Sequence, residues 1–334
     1  MPKKQKHKRA QSSSDAKKRA QSSDATPGTS ISRPALLAAA VCAVAAVVLR
    51  SARLARPEVM PQRLTRTMRV RHARRTVPCA TTSVCGERPC DRVVIDDWLP
   101  PAEIDALRDI ARRGAAAADA AAAAGGPTII DINSGFVMAP GARLVNLYQA
   151  KSKRKPFGGE DYELYRSVIR RLKAEVEAAF PRASALYFTA PTFLTRLSGE
   201  NATWEASEPH DEYYQWHVDR ENTPHYEFSG LLYLSDYDED FEGGLFTYED
   251  GSAVEPRRGR LNMFASGAEN KHRVTQVTAG QRLTLSFWFA CDPAYEFRDF
   301  LDGQAHARYR LSLIHISEPT RPRLISYAVF CLKK

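Results

Sequence analysis

Three side chains in this sequence could close on one metal ion. His217 and Asp219 are two residues apart in Gln215-Trp216-His217-Val218-Asp219. On a β-strand that spacing puts both on the same face. His272 follows 55 residues later, far enough on for several antiparallel strands to intervene. Two imidazoles and one carboxylate, with the other coordination positions open, form the donor set of mononuclear non-haem iron(II) centres. An isolated His-x-Asp pair is common by chance and says little. The specificity comes from His272 and Arg282 following it in order and at suitable spacing. His210, Asp211 and His225 are close in sequence and read as loop or rim residues.

Arg282 opens an alternating run that ends at Ala290. Arg282, Thr284, Ser286 and Trp288 share one face of it, and Leu283, Leu285, Phe287 and Phe289 the other. The apolar face should pack under a helix and the mixed face should look into a cavity. There a guanidinium can donate two parallel hydrogen bonds to a carboxylate. Ten residues beyond the third candidate ligand, it suits the distal carboxylate of 2-oxoglutarate. Tyr233 could add a hydroxyl donor, although alternation fits a plain core tyrosine equally well.

These residues need strands to hold them. Short apolar runs predict strands over 192–197, 213–219, 228–235, 245–248, 261–265, 274–277 and 282–290, a spacing that indicates an antiparallel sandwich or barrel. Ahead of them, Tyr165, Ile169, Leu172, Val176 and Phe180 mark a helix over 162–180, stopped by Pro181. Pro100-Pro101 starts an earlier helix with Ile104, Leu107, Ile110 and Ala111 on one face. Helices first and strands afterwards give an α+β fold, with N-terminal helices packed on one sheet of a jelly roll. The folded domain is expected to span 93–300, opening on Val93-Val94-Ile95.

The net charge of +9 belongs to the N-terminus. Residues 1–80 carry 18 Lys or Arg against three acids, so the remainder is net −6. That balance, and a basic leader without interleaved aromatics, argue against nucleic acid as a partner. Residues 1–33 read as a disordered leader, and 51–92 as a basic stem. Between them lies an apolar run over 35–49, shorter than the roughly 20 residues of a straight membrane span. A signal-anchor at 34–50 is the preferred reading, an organellar transit peptide the second and a buried or amphipathic helix the third. The first makes the chain a single-pass membrane protein. Cys79, Cys85, Cys90 and Cys291 form an even set that allows two disulfides in any of three connectivities, or none.

Residues from about 93 to 293 resemble the catalytic domain of the prolyl 4-hydroxylase superfamily of 2-oxoglutarate- and Fe(II)-dependent dioxygenases. The residues carrying the likeness are His217-Val218-Asp219, Leu232-Tyr233-Leu234-Ser235, Gly243-Gly244, Val254-Glu255-Pro256, Gly259-Arg260 and His272-Arg273-Val274 through Gly280-Gln281-Arg282 to Trp288. Further runs, Val145-Asn146-Leu147-Tyr148, His210-Asp211-Glu212-Tyr213 and Ser266-Gly267-Ala268-Glu269-Asn270, resemble one oxygenase group within it. The resemblance implies a double-stranded β-helix and Fe(II) on His217, Asp219 and His272. It also implies 2-oxoglutarate held by Arg282 and Tyr233, O2 as oxidant, and L-ascorbate dependence. The product would be a hydroxylated substrate of unknown identity, with a protein prolyl residue as one candidate. That group also carries a basic N-terminus, a membrane span, a cysteine cluster and a glycosylation sequon where Asn201-Ala202-Thr203 stands, which implies an endomembrane protein with a lumenal catalytic domain. The rival reading is a non-catalytic, cupin-like metal-binding jelly roll, against which the cavity arginine argues. Residues 311–334 resemble translated sequencing-adapter DNA and are expected to be non-native.

Overall fold

The alternation from Val277 to Ala290 becomes the strand around which the larger sheet is built. The structure is a computed structural model, and it describes residues 57–80, 82–119, 126–133, 135–139, 143–148, 156–181, 184–189, 192–199 and 213–297. The larger sheet begins with β1 (Glu58–Val59), β3 (Ala73–Arg75), β4 (Arg92–Ile95) and β14 (Leu261–Ala265). It continues through β10 (Phe228–Tyr233), β16 (Val277–Ala290) and β9 (Phe193–Ser198) to β5 (Gly126–Ile130), β6 (Phe136–Ala139) and β7 (Arg143–Asn146). Two short strands, β8 (Tyr187–Phe188) and β11 (Phe241–Gly243), pair with the ends of β16. The smaller sheet runs β15 (His272–Val274), β12 (Phe246–Tyr248), β13 (Ala253–Val254) and β2 (Arg63–Leu64). This is a double-stranded β-helix.

Two layers of core hold it together. Phe246, Tyr248 and Val254 of the small sheet meet Tyr233, Phe264 and Val94 of the large one. On the far face of the large sheet lie α1 (Pro101–Asp119) and α2 (Gly159–Ala179). Ile104, Leu107 and Ile110 of α1 and Val168, Leu172 and Val176 of α2 cover Leu283, Leu285, Phe287 and Phe289. Each such side chain contributes roughly 1.5–3 kcal/mol through burial. The β16 alternation thus sends its apolar face to the helices and its mixed face between the sheets, as the residue pattern requires.

Several expectations need correction. Residues 57–92 are not a stem: β1, β2 and β3 add to both sheets, and Met60, Leu64, Val70 and Ala73 are buried. Their basic charge is matched inside the fold by Arg63–Glu255 and Arg74–Asp91 ion pairs at 2.7 and 2.6 Å. The expected strand over 213–219 reduces to a single bridge at His217, followed by one helical turn, α3 (Asp219–Asn222). The strand over 274–277 is cut in two, because the chain changes sheets at Thr275, whose backbone and hydroxyl both bond to Leu245. The expected single-pass membrane protein is also withdrawn. Among the described residues no helix is long and apolar enough to cross a membrane. The run over 35–49 lies outside the described residues, as do Asn201, His210, Asp211 and 311–334. Two disulfides form, Cys79–Cys90 and Cys85–Cys291, selecting one of the three connectivities.

Candidate active site

The backbone brings the two histidines together. His217 N–H donates to His272 O at 2.9 Å and His272 N–H to His217 O at 3.0 Å, so the His217 bridge extends the edge of β15. Their rings lie 4.4 Å apart between centroids. Both use Nδ1 on a backbone carbonyl two residues earlier, His217 on Gln215 at 3.0 Å and His272 on Asn270 at 2.9 Å. That contact makes Nδ1 the protonated nitrogen and leaves the Nε2 lone pair for a metal. His272 is only 4% exposed. Burial, with His217 beside it, pushes its pKa down to about 4, so it is neutral at pH 7.

Asp219 joins them from the first residue of α3, with Oδ1 3.8 Å from His217 Nε2. Its other oxygen, Oδ2, accepts the indole N–H of Trp288 at 3.2 Å. Trp288 lies on the mixed face of β16, stacked on Tyr226 and edge-on to Phe193. The next residue, Arg220, pairs with buried Glu227, which also binds Arg88 at 3.1 Å and Ser83 at 2.6 Å. The turn bearing Asp219 is therefore anchored from behind. Ligand atoms of His217, Asp219 and His272 all lie within 4.8 Å of one another. Metal–ligand distances of about 2.0–2.2 Å put donors nearer one another than that, so the set would draw together around a bound ion.

Sequence reasoning missed two supports of His272. Asn270 is buried, and its amide donates to Cys90 O at 3.0 Å and Ala265 O at 2.9 Å. Its Oδ1 accepts from Arg92 Nε at 2.7 Å, while the Arg92 guanidinium lies 3.7 Å over the Tyr248 ring. Asn270 stands out only as part of a run resembling one oxygenase group, and its contact with Arg92 links positions 178 apart.

Arg282 and Tyr233 lie between the sheets, both almost fully buried. The guanidinium carbon is 5.4 Å from the Tyr233 ring centroid. Arg282 Nε and Nη2, Tyr233 Oη and Asn262 Nδ2 are all buried without a hydrogen-bond partner. Burial lowers the Arg282 pKa and raises that of Tyr233, while their proximity opposes both shifts without a hydrogen bond of ordinary geometry. Unpartnered buried donors are costly, and an acceptor-only carboxylate is the group that would satisfy them. The glycine at 244 makes room for this arginine. It holds φ +63°, and a Cβ there would stand 2.9 Å from Arg282 Cδ. His225, read as a rim residue, stacks on exposed Tyr295 at 4.0 Å and stands apart from the His217–Asp219–His272 set.

Residues 204–290 match the 2OG-Fe(II) oxygenase superfamily. The 2-oxoglutarate and iron-dependent oxygenase domain-containing protein 3 of Rattus norvegicus is 40% identical over 221 residues, covering 64% of this chain and 68% of that protein. The chain belongs to that family. It is therefore a 2-oxoglutarate-dependent dioxygenase, an oxidoreductase. Human prolyl 3-hydroxylase 1 is 32% identical over 156 residues, 41% of this chain and 20% of its own. An oxidoreductase of the 2OG-Fe(II) oxygenase family from Burkholderia pseudomallei overlaps 60% of this chain and 84% of its own at 15% identity, with a TM-score of 0.40. The double-stranded β-helix is established by the strand pairing above and does not lean on that overlap.

Proposed function

We propose that the protein hydroxylates a C–H bond of a polypeptide substrate, consuming 2-oxoglutarate and O2 and releasing succinate and CO2. The observation that carries this reading is the set of buried, unpartnered donors on Arg282, Tyr233 and Asn262, in a chain that also gathers His217, Asp219 and His272 into one cluster. A metal site alone has no use for them. They argue against a cupin-like module that binds metal without a co-substrate.

His217, Asp219 and His272 would hold Fe(II), while Arg282 and Tyr233 would take the distal carboxylate of 2-oxoglutarate. Iron with 2-oxoglutarate and O2 supplies the oxidising power for oxygen insertion. The chain supplies placement. The Nδ1 contacts fix both imidazoles, and the Trp288 indole holds Asp219 Oδ2, which would leave Oδ1 free for a metal. Phe246, Tyr248 and Phe264 pack around His272 and keep water from its inner side, where a low dielectric strengthens each charged contact. Arg282 and Tyr233 then set the orientation of the co-substrate. The name of the prolyl 3-hydroxylase relative makes peptidyl proline the first substrate to try, with L-ascorbate present as reductant.

The test is oxygen-dependent turnover of a proline-containing peptide library, read as succinate release and a mass gain of one oxygen. His217→Ala and Asp219→Ala should abolish both signals, and Arg282→Ala should chiefly raise the KM for 2-oxoglutarate. Undiminished succinate release from Asp219→Ala would sink the assignment.

A further inference from the structure

The segment from Cys79 to Cys90 stands behind both halves of the metal set. Thr82 O accepts Arg220 Nη1 at 2.8 Å, and Ser83 Oγ and Arg88 Nε both donate to Glu227, the carboxylate that pairs with Arg220. Arg220 follows Asp219 directly. Cys90 O accepts the Asn270 amide at 3.0 Å, and Asn270 O in turn holds Nδ1 of His272. Among its described residues the segment has no helix or strand, so its path depends on two disulfides, Cys79–Cys90 and Cys85–Cys291.

The two bonds differ in access. Cys85, Cys90 and Cys291 are 0%, 1% and 8% exposed. Cys79 is exposed, and with Cys90, Thr82, Ser83, Arg88 and Pro181 it lines an open cleft of about 700 Å³. At the inner sulfur stands a guanidinium, Arg88 Nη1 donating to Cys90 Sγ at 3.2 Å. A positive charge beside a sulfur stabilises its thiolate, and a more stable thiolate leaves faster in disulfide exchange.

We propose that Cys79–Cys90 is a thiol-exchange site, open to a dithiol reductant, whose cleavage loosens the metal ligands. This rests on the metal reading of His217, Asp219 and His272 above. One thiolate of the dithiol bonds to Cys79 Sγ, the Cys79–Cys90 bond breaks, and the electron pair leaves on Cys90 Sγ beside Arg88. The second thiolate then displaces Cys79 and closes a disulfide within the reductant. The dithiol is oxidised by two electrons and the protein reduced by two; one of the dithiol's protons passes to Cys79 and the other to solvent. A Cys90 thiolate competes with Glu227 for Arg88, and the opened segment no longer fixes the carbonyls of Thr82 and Cys90. Asp219 and His272 lose support together. Reduction should therefore weaken metal binding, and a bound metal should make the disulfide harder to reduce by the same factor.

Brief treatment of the full chain with dithiothreitol, quenched with iodoacetamide and read by peptide mass spectrometry, shows which bond opens. Cys79 and Cys90 should be labelled while Cys85 and Cys291 are not, and labelling of Cys85 and Cys291 first would overturn the proposal. Mn(II) binding followed by electron paramagnetic resonance, after the reductant is removed, reads the coupling. The trapped protein and an adduct-free Cys79→Ser, Cys90→Ser double variant should both bind Mn(II) about tenfold more weakly, the scale for losing partners behind metal ligands. Their near-UV circular dichroism should stay that of the oxidised chain. Unchanged Mn(II) affinity would refute the coupling. So would an affinity lost only together with the near-UV spectrum, since the bond would then be a staple for the whole fold. An oxidised chain that labels at Cys79 and Cys90 but binds no Mn(II) would refute the metal reading itself, and the coupling with it.

Discussion

Replacing Trp288 with phenylalanine removes one atom's worth of chemistry from the metal site, the indole N–H that reaches Asp219 Oδ2. Its 3.2 Å length is at the far end of the ordinary N–H···O range, so the lower part of the charged hydrogen-bond scale applies, about 1.5 kcal/mol. If the bond acts by holding Asp219 ready, that energy appears as metal affinity, a loss of about tenfold. Mn(II) is a redox-silent probe, and its dissociation constant can be followed by electron paramagnetic resonance. The substitution also shrinks a side chain stacked on Tyr226 and edge-on to Phe193, so some global stability, on the order of 1–2 kcal/mol, should go with it. Urea unfolding of the metal-free protein measures that part separately. The reasoning fails if Trp288→Phe loses stability while its Mn(II) affinity stays indistinguishable from wild type. The contact would then be packing that happens to touch a ligand.

Gly244→Ala should weaken 2-oxoglutarate binding while sparing Mn(II), because its Cβ must displace Arg282 Cδ from 2.9 Å at a φ of +63°; paired calorimetric titrations check this. Exchanging Cys85 and Cys291 for serine opens a link between residues 206 apart and should cost roughly 2–5 kcal/mol, read from unfolding with and without reductant. For the metal-free protein, His272 binds a proton more weakly when folded, with a pKa of about 4 against 6.5 for an ordinary histidine. The unfolded chain therefore takes up more protons between those values. This contribution is complete above pH 6.5 and lost as the pH falls towards 4, by up to about 3 kcal/mol. Urea midpoints across that window should flatten in His272→Gln.

Much of the site was legible because its donors sit on alternating strands. The period of two placed Arg282 and Trp288 on the cavity face and Leu285 and Phe287 under the helices. His217 and Asp219 converge as the spacing suggests, but through a bridge and a helical turn in place of a strand. Alternation could not distinguish these, because both put the two side chains on one side over so short a stretch. Asn270 and Arg92 stayed hidden because their roles depend on contacts between distant segments. The stretch from 57 to 92 misled for a different reason. Its arginines look like a solvated run until the acids that pair with them, Glu255 and Glu239 among them, arrive from elsewhere in the chain.

The early strands also bear on how the domain can be handled. β3 lies against β4, and β2 against β13, so both are seams that residues 57–75 close. Arg260 depends on the same segment, donating to the carbonyls of Thr65 at 3.2 Å and Met68 at 2.8 Å. A protein cut to begin at Val93, where the apolar pattern alone would start it, exposes two raw strand margins and leaves Arg260 with Asp96 and the Glu255 carbonyl but without those two acceptors. Such margins template pairing with other chains. The shortened protein would be expected to self-associate through its flanks while His217, Asp219 and His272 remained in place, and its insolubility could be mistaken for a fault in the catalytic domain.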